Sequence, residues 1–179
     1  MSETSEIFEE IKRFIGFDAD DVEALRGLAP LFAAHGARIT DAFYAKLARD
    51  PEQSRLIEGR VEPLKQTHLR WLARLFAGDY GEAYFADRWR IGLAHVRVGV
   101  KPWWVEAVTS FLRTEGLTLL LHASPAGGAG ERAAAALIKI LDIDLMIINL
   151  AYSQETIERL SAFTGMSRKL IERCVQLKK

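Results

Sequence analysis

Cysteine is almost missing from this sequence: Cys174 stands alone among 179 residues. A single thiol excludes a disulfide framework, a thiolate zinc cluster and a Cys-x-x-Cys-His motif for covalent cofactor attachment. An excess of one charge is missing too, since 24 Lys and Arg balance 24 Asp and Glu. A net charge of zero gives no electrostatic reason to expect nucleic acid or an acidic membrane surface as partner. No stretch reaches the roughly 18 apolar residues of a membrane span. Met1 to Glu10 carries acids where a signal peptide has a basic start and an apolar run, so a cytoplasmic protein is expected. Runs of Val, Ile and Thr with period two are also lacking, which argues against a sheet. The Gly-rich stretch Ser124 to Gly130 lacks the Lys-Ser/Thr and the preceding strand of a phosphate loop. Glu-x-x-His pairs, the ligand set of a dicarboxylate di-iron bundle, are absent, and no nucleophile constellation stands out.

What is present is helical periodicity. With 49% hydrophobic and 27% charged residues, the chain has the composition of one ordinary globular domain. Apolar residues recur at i, i+3, i+4 almost throughout. A first helix is expected over about Glu3 to Phe14, with Ile7, Phe8, Ile11 and Phe14 on one stripe. Gly16 ends it, and Asp18 can cap the next, because its carboxylate can accept the free backbone N–H groups there. The pattern from Asp20 to about Arg49 predicts a helix interrupted near Pro30, which has no N–H to donate. Asp50-Pro51 places a cap before a first-turn proline, so a short helix starts there and closes at Gly59. Further helices are expected over about Val61 to Ala77, Gly81 to Val98 with Gly99 as terminator, and Pro102 to Ala123. Ser124 to Gly130 reads as a loop. A last helical region runs from about Glu131 to the C-terminus, with a break at Gly165. The fold class is therefore all-α.

Four histidines carry most of the chemical information: His35, His68, His95 and His122. A lone histidine is more often a surface residue or a hydrogen-bonded core residue than a metal ligand. His95 shares a helical face with Ile91 and Val98 by i, i+4, i+7 spacing. An imidazole on an apolar stripe needs a partner for its nitrogens on burial; a metal is one such partner and a backbone carbonyl another. His68 lies on a stripe with Leu64, Trp71, Leu72 and Leu75, so it faces inward as well. A tight Gly78 to Gly81 turn joins the two helices and lets them lie near one another. His35 and His122 read as structural or solvent-facing.

At these residues the sequence resembles the sensor-globin family, the globin-coupled sensors and their single-domain relatives. The resemblance covers roughly Phe14 to Tyr152. It rests on Ile15-Gly16-Phe17, on Ile39-Thr40-Asp41-Ala42-Phe43-Tyr44, on Leu64-Lys65-Gln66-Thr67, and most specifically on Arg90-Ile91-Gly92, His95, Arg97-Val98-Gly99 and Pro102 followed by Trp104. It implies a globin fold with an extra N-terminal helix and a non-covalent b-type haem. By position His95 matches the family's proximal iron ligand and Tyr44 its distal tyrosine, whose hydroxyl can donate to bound dioxygen. Thr67 matches a distal threonine of some members. His68 departs from the members in which an apolar residue follows that threonine.

Adjacent helix positions point about 100° apart, so Thr67 and His68 cannot both face the iron fully. Either Thr67 or Leu64 lines the distal side, or His68 binds the iron opposite His95 in a six-coordinate resting state; the stripe of His68 favours the second. Val105 follows Trp104 where the family commonly has Tyr, which removes a phenol near the proximal side and leaves a backbone carbonyl to orient His95. Haem contacts are expected from Tyr44, Leu64, Thr67, His68, Ile91, His95, Val98 and Trp104.

The implied function is a haem-based sensor of dioxygen, with carbon monoxide and nitric oxide as further ligands. The competing readings are a globin enzyme that consumes nitric oxide or reactive species, for which no flavin or nicotinamide module is visible, and an interaction domain that uses the fold without haem. The expected division is a pre-helix at 1–16, a globin domain at 17–156 and a helical tail at 157–179. Ile157, Leu160, Leu170, Ile171, Val175 and Leu177 give that tail a helical spacing suited to a homodimer surface or to a connector toward an output module. It holds too few heptads for a coiled coil.

Overall fold

The computed structural model describes residues 3–123 and 128–176. Among them lie eight helices: α1 (Glu3–Ile15), α2 (Ala19–Leu47), α3 (Pro51–Ile57), α4 (Val61–Leu75), α5 (Glu82–Val98), α6 (Pro102–Ala123), α7 (Gly128–Thr164) and α8 (Arg168–Gln176). The punctuation follows from the caps. Asp18 accepts from the N–H groups of Asp20 and Asp21, and Asp21 returns a bond to the Asp18 N–H, a reciprocal capping box. Asp50 accepts from Glu52 N at 3.0 Å and Gln53 N at 2.9 Å, and Pro51 opens α3. Gly99, with φ at +82°, ends α5 in a left-handed turn that a side chain would strain. α7 stops at Thr164, just before Gly165.

Three expectations are corrected. α2 runs unbroken through Pro30. Its buried face (Leu25, Leu28, Phe32, Ile39) anchors both sides of the proline, so packing outweighs the lost hydrogen bond. Phe14 leaves the α1 stripe and is 91% exposed, while Phe8 is fully buried and lies 5.3 Å from the Phe85 ring. The loop expected at Ser124 to Gly130 falls partly on 124–127, outside the described residues, and α7 already begins at Gly128.

α7 is the axis of the fold and packs against α1, α2, α5 and α6. Its buried residues Ala136, Ile140, Ile143, Ile147 and Ala151 recur at three- and four-residue spacing on one face, which Leu137, Leu141, Ile148 and Tyr152 widen to about half of the helix. Contact with α5 is close because Gly92 has no Cβ; one built there would lie 2.7 Å from Ala151 Cβ and 3.0 Å from the Ile148 carbonyl oxygen. α2 packs on α4. The chain therefore holds the two histidine-bearing helices from opposite partners, α4 from α2 and α5 from α7.

Candidate functional site

His95 sits in the last turn of α5. Its Nδ1 is 2.8 Å from the carbonyl oxygen of Ile91, one turn back. A carbonyl can only accept, so Nδ1 carries the proton and Nε2 keeps its lone pair in the neutral ring. Burial pushes the imidazole pKa down, with the Ile91 carbonyl opposing. The outcome is a neutral imidazole of fixed tautomer whose Nε2 has no partner among the described residues. No phenol follows Trp104; Val105 is instead buried with Ile148 and Tyr152, and half-buried Ile91 packs on that cluster. A main-chain carbonyl thus orients the ring.

On α4, His68 is held on three sides. Its ring centroid is 5.0 Å from Phe43 and 5.1 Å from Trp71, and Tyr44 meets it edge-on at 6.2 Å. His68 Nδ1 lies 2.9 Å from Thr40 Oγ1, while Nε2 is buried without a partner. Burial lowers the pKa to about 4, so this ring too is neutral at pH 7.

Tyr44 is buried, and burial raises its pKa to about 12, so its phenol stays protonated and can donate. With Phe43 and Ile57 it forms a cluster joined by Leu47, Val61, Leu64, Val108 and Phe111. Beside this cluster is a cavity of about 60 Å³, lined by Phe43, Lys46, Leu47, Asp50, Gln53, Trp104, Ala107, Val108 and Phe111. Two buried donors on its wall, Trp104 Nε1 and Gln53 Nε2, have no partner.

Of the residues singled out from sequence, Tyr44, Leu64 and His68 come together on the α2–α4 side. Ile91 and His95 lie on α5, and Trp104 lies on the cavity wall. Thr67 does not join them: it is exposed, donates to the Pro63 carbonyl at 3.0 Å and accepts from Arg70 Nη2 at 3.0 Å. Val98 is 42% exposed at the end of α5. Sequence reasoning missed Thr40, although it lies four residues before Tyr44 and so shares its helical face. It also missed the charged core beneath the site. Arg88, fully buried on α5, places Nε 2.7 Å from Asp144 Oδ2 of α7. Asp144 also accepts from Trp71 Nε1 at 2.8 Å and from the Tyr84 hydroxyl. Arg88 Nη2 reaches the Trp71 carbonyl at 3.4 Å, tying α5 to α4.

The model of the Protoglobin family matches residues 4–158. The chain belongs to the protoglobin family. Its curated relatives include the heme-based aerotactic transducer HemAT of Halobacterium salinarum, 31% identical over 161 residues. That alignment takes in 82% of this chain and 32% of the transducer, so the chain spans about a third of that relative's length. Among solved structures, the globin domain of the Geobacter sulfurreducens globin-coupled sensor superposes with a TM-score of 0.77 at 34% identity, over 80% of this chain and 96% of that one. The globin domain of E. coli DosC in its ferric form gives a TM-score of 0.68 at 16% identity, over 80% and 98% of the two chains, a likeness of fold alone. The resemblance to sensor globins and the all-α globin fold read from the sequence are thus borne out. The family match runs through the 156/157 boundary, as does α7 without a break.

Proposed function

We propose that this protoglobin binds a b-type haem non-covalently through His95, takes His68 as the opposite ligand at rest, and acts as a gas-sensing domain. The observation that carries the reading is the fixed tautomer of His95: a neutral, half-buried imidazole with Nδ1 engaged on a carbonyl is prepared to offer Nε2 to a metal. Among the described residues no three His, Cys, Asp or Glu side chains gather around one point. An iron that brings four ligands in its own macrocycle needs only one or two from the protein, and two imidazoles suit it. The apolar side chains around Tyr44 and Leu64, with Trp104 beside them, supply the dry walls a porphyrin requires.

When bound, the haem supplies an iron that takes a diatomic gas: dioxygen first, with carbon monoxide and nitric oxide as further ligands. The protein's own residues orient and select. Ile91 holds His95, and Tyr44 can donate a hydrogen bond to a polar diatomic ligand. With His68 holding one side of the group, its release in favour of a gas would supply the differential free energy a sensor needs. A sensor rather than an enzyme is the reading that the transducer and the globin-coupled sensor support. By the same reading the chain is cytoplasmic; among the described residues no helix is long and apolar enough to cross a membrane. The segment beyond 156 is a connector or a homodimer surface, on which Leu160, Phe163, Leu170 and Val175 are exposed.

Ultraviolet–visible spectra of the haem-loaded protein, ferric and ferrous, beside His68→Ala test this. The reading expects six-coordinate low-spin spectra that become high-spin in the variant. A five-coordinate ferrous spectrum indifferent to the substitution returns the distal side to Tyr44.

A further inference from the structure

Thr40 is one of the most deeply buried polar residues of the chain, 1% exposed in the middle of α2. Threonines inside helices usually satisfy their hydroxyl on the carbonyl one turn back. Five others here do so: Thr67, Thr109, Thr114, Thr156 and Thr164 each donate to the residue four before. Thr40 does not. Its Oγ1 is turned across the helix interface to His68 Nδ1, 28 residues on, at 2.9 Å.

The contact admits two tautomers. In one, the hydroxyl donates to Nδ1 and leaves a hydrogen on Nε2, buried with no acceptor. In the other, Nδ1–H donates to Oγ1 and Nε2 presents a lone pair. A metal at Nε2 selects the second. The ring has little freedom to turn away, since Phe43 and Trp71 pack on it. The same relation, a histidine donating its remote N–H to an oxygen, is seen on α5 with Ile91 as acceptor.

We propose that Thr40 is the positioning residue of the distal ligand, holding the His68 ring and tautomer so that Nε2 meets the iron and thereby setting how much of the resting protein is six-coordinate. This rests on the reading of His68 as distal ligand. Its difference from Ile91 is chemical: a main-chain carbonyl is a permanent acceptor, whereas a hydroxyl can be removed or reversed. The distal histidine is therefore the weaker-held of the two and the one that exchanges.

The test is a set of haem-loaded variants: wild type, Thr40→Val, Thr40→Ser and His68→Ala. The ferrous spectrum reads the low-spin six-coordinate fraction, and stopped flow reads the carbon monoxide association rate. Removing a partner that orients a ligating histidine typically lowers metal affinity about 10- to 100-fold. Thr40→Val is expected to weaken the His68–iron equilibrium about tenfold or more and to speed carbon monoxide entry correspondingly, with Thr40→Ser returning both toward wild type. Should Thr40→Val not fold, Thr40→Ala removes the same oxygen with less crowding and is read the same way. A six-coordinate spectrum lost in His68→Ala but unchanged without the Thr40 oxygen overturns this proposal alone. A five-coordinate wild type that ignores His68→Ala overturns it together with the reading beneath it.

Discussion

Replacing Asp144 by Asn should loosen both histidine-bearing helices at once, and the size of the effect can be worked from its contacts. Asp144 is 2% exposed and takes the Trp71 indole N–H, the Tyr84 hydroxyl and the Arg88 guanidinium on its two oxygens. Burial raises the Asp144 carboxyl above its ordinary value, offset in part by Arg88, Tyr84 and Trp71. Burial lowers Arg88, but the adjoining carboxylate overrides it and leaves the guanidinium raised. We take the pair as charged at pH 7, because the carboxylate accepts two hydrogen bonds and lies against the guanidinium.

Asn keeps the shape and one acceptor but strands a fully buried cation. Breaking a buried pair in this way costs about 3–5 kcal/mol. The lower end applies here, because Arg88 Nη1 keeps Asp87 at 2.8 Å. About 3 kcal/mol is a large share of the roughly 5–15 kcal/mol that holds a domain folded. It corresponds to a fall of roughly 6–12 °C in melting temperature for a chain of this size. Urea unfolding at pH 7 should show a lower midpoint with an unchanged slope. The apolar double replacement Asp144→Leu with Arg88→Met should recover part of the loss, so the two sites are strongly non-additive. An Asp144→Asn variant within about 1 kcal/mol of wild type, or additive single effects, would refute the argument that the pair is charged and essential.

The haem-free protein should lose stability in acid partly through His68. Its folded pKa of about 4 lies below the unfolded 6.5, so the unfolded chain binds more protons between those values. The contribution is present above pH 6.5 and is lost as pH falls through about 4; the full loss is roughly 3 kcal/mol. His68→Leu should flatten that part of a stability-against-pH curve, and a curve of unchanged slope would count against a buried neutral ring. Gly92→Ala should destabilise by about 1–3 kcal/mol, because the new Cβ meets α7 backbone. Gly27→Ala, with nothing near, should stabilise by up to about 1 kcal/mol; equal effects in thermal melts would contradict the close α5–α7 approach. Asp50→Ala should cost about 1 kcal/mol through loss of the α3 cap, read by urea midpoint.

Most helix boundaries were legible because they are written in local chemistry. Asp18, Asp50-Pro51 and Gly99 act within a few residues of the ends they define. Pro30 shows where local rules stop: its missing N–H argues for a break, and only the burial of the surrounding face of α2 explains why none occurs. The histidines divide in the same way. The stripes of His68 and His95 were readable from spacing, whereas Tyr44 was marked only by the family resemblance. Thr67 drew attention through its place in a motif, yet its hydroxyl is spent on Pro63 and Arg70. Thr40 stood in a quoted motif with no role attached to it, because its partner is 28 residues away and on another helix. Asp144 and Arg88 carry charges that periodicity assigns to no face, and a pair 56 positions apart (144 − 88) leaves no spacing signal.

His95 should hold a haem iron through Nε2. Titrating the haem-free protein with haemin and replacing His95 by Gly tests it most directly. The wild type should show a Soret band that saturates at one haemin per chain. His95→Gly should show an altered coordination spectrum that returns toward the wild-type one when imidazole is added. No Soret band in the wild type, or a His95→Gly spectrum identical to it, would contradict the claim.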